Sequence, residues 1–139
     1  MPIVINQNAN YDYMYINDFY RVIKFFMHND AKYKSYNVTP IKSIDLISIA
    51  RIINSVSDFQ SEIQVLNDGI VLNYTGDNER LISEMNELDI TNYHDSIKDL
   101  YGYYKENIAS LNETDLQEDK FLKYAKKLDQ DRRLQSKKK

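Results

Sequence analysis

Tyr11-Asp12-Tyr13-Met14-Tyr15-Ile16-Asn17-Asp18-Phe19 changes its period half-way along. Alternation puts Tyr11, Tyr13 and Tyr15 on one face of an extended segment. From the Asn-Asp pair onward, Phe19, Val22, Ile23, Phe26 and Met27 follow the i, i+3, i+4, i+7, i+8 spacing of a single buried helix face. The pattern predicts a strand over Met14–Ile16 that feeds directly into a helix starting near Asn17 or Asp18, with Asp18 suited to capping, and ending near Asn29-Asp30. The same order recurs further on. Tyr36-Asn37-Val38-Thr39-Pro40 reads as a strand and loop, and Asp45 is the best cap for a helix with Leu46, Ile49, Ala50, Ile52, Ile53 and Val56 inward.

Outward from these two units, Ile3-Val4-Ile5 predicts a short strand, and Asn6-Gln7-Asn8-Ala9-Asn10 a turn after it. Glu62 to Leu66 alternates, Asn67-Asp68-Gly69 is turn chemistry and Ile70-Val71-Leu72 is a short apolar run, so the segment forms a hairpin or two separate strands. Thr75-Gly76-Asp77-Asn78 introduces a helix with Leu81, Ile82 and Met85 inward, and Leu88-Asp89-Ile90 is an extended link. Asn92 with Asp95 three residues later is a variant capping arrangement for a long helix striped by Tyr93, Ile97, Leu100, Tyr101, Tyr104 and Ile108. The expected class is α/β, or α+β and helix-rich, with short strands each leading into helices. Residues 1–112 form the main domain and residues 113–139 a charged helix and basic tail.

The 139 residues suit one domain, and 42% hydrophobic with 28% charged is an ordinary globular balance. No apolar run approaches the roughly 20 residues that span a bilayer, and Met1-Pro2-Ile3-Val4-Ile5-Asn6 lacks the basic flank of a signal peptide. A cytoplasmic location without a membrane partner is the expectation. Cysteine is absent and only His28 and His94 offer imidazoles, far apart and without spaced carboxylates, so no metal is expected. Residues 120–139 hold nine Lys or Arg against Asp129 and Asp131, net +7; the remaining nine basic and nineteen acidic residues make −10. An acidic body repels a phosphate backbone, which disfavours nucleic acid as a partner.

The order and spacing of the two tyrosine-bearing segments resembles the substrate-binding part of the extended short-chain dehydrogenases. These are the NAD-dependent nucleotide-sugar epimerases and dehydratases, which read R-D-[FY]-[IL]-[YH]-V-x-D-[LV] and then Y-N-[VI]-G before a helix. Asp12, Tyr15 and Asp18 match the first motif and Tyr36, Asn37 and Val38 the second, while Tyr11 stands at the family's Arg position and Thr39-Pro40 replaces its glycine loop. Asp77-Asn78-Glu79-Arg80-Leu81 is similar to D-x-[ST]-[KR]-[AL], and Asn92 to Tyr104 resembles the segment that ends in W-Y. The likeness runs from about residue 2 to about residue 108. It implies a piece that closes over a nucleotide-sugar, with Tyr11, Tyr15, Asn37 and Arg80 as candidate substrate contacts. NAD and the catalytic Tyr-x-x-x-Lys then belong to a Rossmann half.

That half's chemistry is absent from these residues. Gly69, Gly76 and Gly102 form no G-x-x-G-x-x-G turn, so no dinucleotide cradle and no bound cofactor are expected in this chain. Tyr20 with Lys24 and Tyr101 with Lys105 have the catalytic spacing, but among twelve tyrosines in a Lys-rich chain these are coincidences, and no catalytic residue is assigned. The chain alone is expected to be inactive. Packing is the plainer role for most of the tyrosine row, capping for Asp12, Asp18, Asp45 and Asp77, and a surface ion pair with Glu79 or Glu84 for Arg80. The competing reading is a freestanding interaction module whose tyrosine-rich face binds another protein or a second copy.

Overall fold

In the computed structural model, which describes residues 2–86, 89–112 and Thr114, the first strand does not stop at Ile5. β1 runs Ile3–Asn8 and pairs in parallel with a strand sixty residues away, β4 (Ile63–Ile70), from Ile3 opposite Ile63 to Asn8 opposite Ile70. Its amide-rich second half, expected to be a turn, is instead stitched across the pair. Asn67 Nδ2 donates to the Asn6 carbonyl (3.0 Å) and Gln7 Nε2 to the Asp68 carbonyl (2.8 Å). Neither the hairpin nor the two separate strands foreseen for residues 62–72 forms. Asn67-Asp68-Gly69 sits inside β4, where the register slips beside Gln7 and Gly69 takes a φ of 84°, a bulge rather than a reversal.

β2 is Asn10–Tyr11 and pairs antiparallel with β3, Ile44–Asp45. The strand expected at Met14–Ile16 is therefore displaced to Asn10–Tyr11. Bends at Ile41 and Lys42, after Pro40, carry the neighbouring chain away, so the alternating Tyr13 and Tyr15 find no backbone to pair with. Tyr36–Val38 is likewise not a strand. Side chains hold it instead: Asn37 Nδ2 donates to the Asp77 carbonyl (2.8 Å) and Asn78 Nδ2 to the Thr39 carbonyl (2.8 Å).

α1 spans Ile16–His28 and α2 Leu46–Val56. Asp45 caps α2 as expected, its Oδ1 accepting from Ser48 N at 3.0 Å. Asp18 does not cap α1. It lies fully buried in the first turn, where Oδ2 accepts from Thr91 N (3.0 Å), Oδ1 accepts from Thr91 Oγ1 (2.8 Å), and Arg21 pairs with it. α3 is Glu79–Glu84, with Leu81 fully buried but Ile82 exposed. α4 is Tyr93–Glu106, begun by the expected reciprocal pair, Asp95 N to Asn92 Oδ1 (2.9 Å) and Asn92 Nδ2 to Asp95 Oδ2 (2.7 Å).

The outcome is a small mixed α/β domain, with Ile5, Ala9, Val22, Ala50 and Leu81 as its buried apolar centre. The face of α1 predicted to be inward is mostly outward. Val22 is buried, but Phe19, Ile23 and Met27 are exposed, as are Leu100 and Tyr104 of α4. The chain divides into two units, Met1–Tyr104 and Lys105–Lys139; in the second, Ile108–Ser110 forms a single 3₁₀ turn. Apart from Thr114, the helix expected from Glu113 lies outside the described residues, as does the Leu88 end of the expected link.

Candidate functional site

Beyond β2, the parallel alignment of β1 with β4 continues as an isolated bridge between Tyr11 and Tyr74. Val71 N donates to the Asn8 carbonyl (2.9 Å) and Tyr74 N to the Asn10 carbonyl (3.3 Å). This extension carries residues 74–76 alongside residues 11–13. The Asn37 and Thr39 side chains bring up the third wall, with Thr39 Oγ1 donating to the Gly76 carbonyl at 3.4 Å. Together, residues 11–13, 36–39 and 74–76 line a cleft of about 770 Å³.

Asp12 forms the cleft's main internal bond. Its Oδ2 accepts from Gly76 N at 2.6 Å, which makes it a loop tie and not a helix cap. Gly76 is where a side chain would not fit easily: a Cβ there would lie 3.2 Å from Thr39 Cγ2. Tyr11 and Tyr13 meet edge to face, centroids 5.7 Å apart and planes at 72°. Tyr36 is fixed from behind: its ring lies 4.7 Å from Phe26, its hydroxyl accepts from Tyr33 N (2.7 Å) and it donates to Glu84.

Two of the cleft phenols, Tyr13 and Tyr36, are shifted away from ionisation. Burial, with the neighbouring Tyr11, pushes Tyr13 up from its ordinary value; burial, with the Glu84 hydrogen bond, does the same to Tyr36. Tyr93, whose hydroxyl donates to the Lys42 carbonyl (2.7 Å), is pushed up to about 12 by burial and by the charge of Asp12. A phenol activated for proton transfer would need the opposite shift. Tyr20 is exposed on α1 and Tyr101 is engaged by Asp58, whose backbone N donates to its hydroxyl at 3.1 Å; neither lines the cleft.

The four candidate contacts separate. Tyr11 and Asn37 share the cleft. Arg80 lies next door, in a polar hollow of about 250 Å³ with Ser35, Asn37 and Asp77, its guanidinium 5.2 Å from the Tyr33 ring centroid. The ion pair with Glu79 or Glu84 does not form. Tyr15 is elsewhere: it borders an apolar groove of about 460 Å³ between α2 and α4, and its hydroxyl accepts from Asn17 Nδ2 (2.9 Å) and donates to Asp99 (3.3 Å). Losing the strand at residues 14–16 also loses the common face that would have aligned Tyr15 with Tyr11. Sequence reasoning missed Tyr74 as a cleft residue, and it read Asp12 as a cap. Gly76, one of three glycines, was the available signal of a close approach.

The N-terminal amides of two helices are already engaged by side chains of this chain. The first amides of α2 are taken by Asp45 and by Asn8 Oδ1, which accepts from Ile47 N (3.2 Å), and those of α4 by Asn92. A carboxylate at such an N-terminus repels a pyrophosphate. No helix among the described residues is long and apolar enough to cross a membrane. Comparison of the chain with protein-family models, curated proteins and solved structures finds no match.

Proposed function

We propose that this chain is the substrate-binding part of an NAD-dependent nucleotide-sugar epimerase or dehydratase of the cytoplasm, catalytically silent by itself. The observation that supports this reading is the cleft in which residues 11–13 and 36–39, which carry the two motifs of the family likeness, meet across Tyr74–Gly76. On this reading the dinucleotide and the catalytic tyrosine with its lysine come from a Rossmann half outside these residues. The cleft contributes binding and orientation. Titration of the chain with intact sugar nucleotides, followed by amide NMR, tests the idea. Shifts at Tyr11, Asn37 and Gly76 are expected; silence throughout the panel, or tight NAD binding by this chain in calorimetry, removes it.

A second reading has its own support. Ile16 (67% exposed), Tyr20 (62%) and Met27 (74%), with Phe19 and Ile23, make an apolar strip along α1 of the kind that proteins cover with a partner. An interaction module using that strip, with another protein or a second copy, predicts concentration-dependent self-association or a protein ligand. Sedimentation of the wild type against Ile23→Lys distinguishes it.

A further inference from the structure

Among the described residues the walls of the cleft hold one charged residue, Asp12, and no Lys, Arg or His. They hold four tyrosines instead. Among the described residues the hydroxyls of Tyr11, Tyr13 and Tyr74 make no hydrogen bond, whereas Tyr36 is anchored to Glu84 and Tyr33. Arg80 is in the adjoining hollow beside Asp77 and rests against Tyr33.

We infer that this cleft recognises an uncharged, polyhydroxylated ring, the glycosyl part of its ligand, and contributes nothing to holding a phosphate or diphosphate. The inference rests on the sugar-nucleotide reading above and narrows it. A multiply charged pyrophosphate placed between these walls loses hydration, gains no counter-charge and meets the Asp12 carboxylate. A sugar ring has complementary needs: apolar C–H faces for tyrosine rings, and hydroxyls for free phenols and for Asn37 and Thr39. The wall geometry also favours a puckered ring over a flat base. Tyr11 and Tyr13 stand at 72° and make a corner, whereas stacking a nucleobase between them would need near-parallel planes.

The test is a competition among the parts of a sugar nucleotide on the full chain. Methyl glycosides of glucose, galactose and mannose, uridine, UDP, inorganic pyrophosphate and intact UDP-glucose are titrated with amide and saturation-transfer NMR. At least one methyl glycoside is expected to shift Tyr11, Tyr13 and Gly76 with little salt dependence, and to bind those sites about tenfold or more tighter than pyrophosphate or UDP. Tyr11→Ala is expected to weaken that glycoside by about tenfold. Tyr11→Arg is expected to create salt-sensitive pyrophosphate binding that the wild type lacks. If UDP or pyrophosphate binds the wild-type cleft best, or if uridine does while glycosides are silent, the inference is wrong and the sugar-nucleotide reading stands. If every compound, UDP-glucose included, leaves the cleft unperturbed, both are wrong. Glycoside binding with UDP-glucose excluded upholds the inference and removes the reading.

Discussion

Asp18 and Thr91, 73 residues apart, are joined by two hydrogen bonds, Thr91 N to Oδ2 at 3.0 Å and Thr91 Oγ1 to Oδ1 at 2.8 Å. With Arg21 as counter-ion, the fully buried carboxylate fastens the start of α1 to the segment leading into α4. Removing it leaves a backbone donor unpaired. Asp18→Ala is expected to lower stability by about 2–4 kcal/mol in urea denaturation, and Asp18→Asn, which keeps an acceptor, by less. A change within about 0.5 kcal/mol for the alanine variant would show the link to be dispensable.

The cap on α2 makes a pH-dependent contribution. Its hydrogen bonds from Ser48 hold the Asp45 carboxyl below its ordinary value of 3.8. A depressed folded-state value means the stabilisation is complete above the unfolded value and is lost as pH falls through the folded one. Asp45→Ala should therefore cost about 1 kcal/mol at neutral pH. The gap from wild type should narrow as pH drops below 3.8. Chemical denaturation at neutral and at strongly acidic pH checks this, and a gap that widens in acid contradicts it.

Gly76 is limited by contact and not by backbone strain. The Cβ of Gly76→Ala would press on Thr39 Cγ2 at 3.2 Å, so a loss of about 1 kcal/mol is expected together with weakened Asp12–Gly76 bonding. Thr39→Ser removes that methyl group. In a double-mutant cycle it should return most of the loss, and simple additivity would refute the assignment.

Gly69 presents the opposite case. With φ at 84° and ordinary space around it, its constraint is conformational. Gly69→Val should destabilise by about 1–2 kcal/mol, and Gly69→Asn by less, because asparagine tolerates this region better. Thermal melts that fail to separate the two variants would place the bulge elsewhere.

Met27 and Ile16 are expected to be silent in the isolated domain. Both lie on the exposed strip of α1, so Met27→Lys and Ile16→Lys should each change stability by less than about 0.5 kcal/mol while improving solubility. A large destabilisation would show the strip to be packed in solution.

Local chemistry was legible before any fold was known. Asp45 over α2, Asn92 with Asp95 over α4 and the periodic run of α1 are encoded within one or two helical turns, so the helices and the mixed α/β class follow from residues that are neighbours in the chain. Tyr11 and Asn37, picked out by motif, do share a cleft. Strand identity was not legible, because a strand exists only where another backbone completes its ladder. Ile3 meets Ile63, Tyr11 meets Ile44 and Tyr74, and Tyr15 meets no strand.

The sequence by itself determined which segments turn into helices, the uneven charge and the two tyrosine-bearing clusters that supply two walls of the cleft. Only the tertiary structure decided that Asp18 is a buried link instead of a cap, that Asn67-Asp68-Gly69 bulges instead of reversing, and that Tyr15 and Arg80 stand outside the cleft. Each of those outcomes depends on a partner distant in the chain: Thr91 for Asp18, β1 for the bulge, α4 for Tyr15 and Tyr33 for Arg80. Pairing over such separations is set by which surfaces pack together, and no local window contains that information.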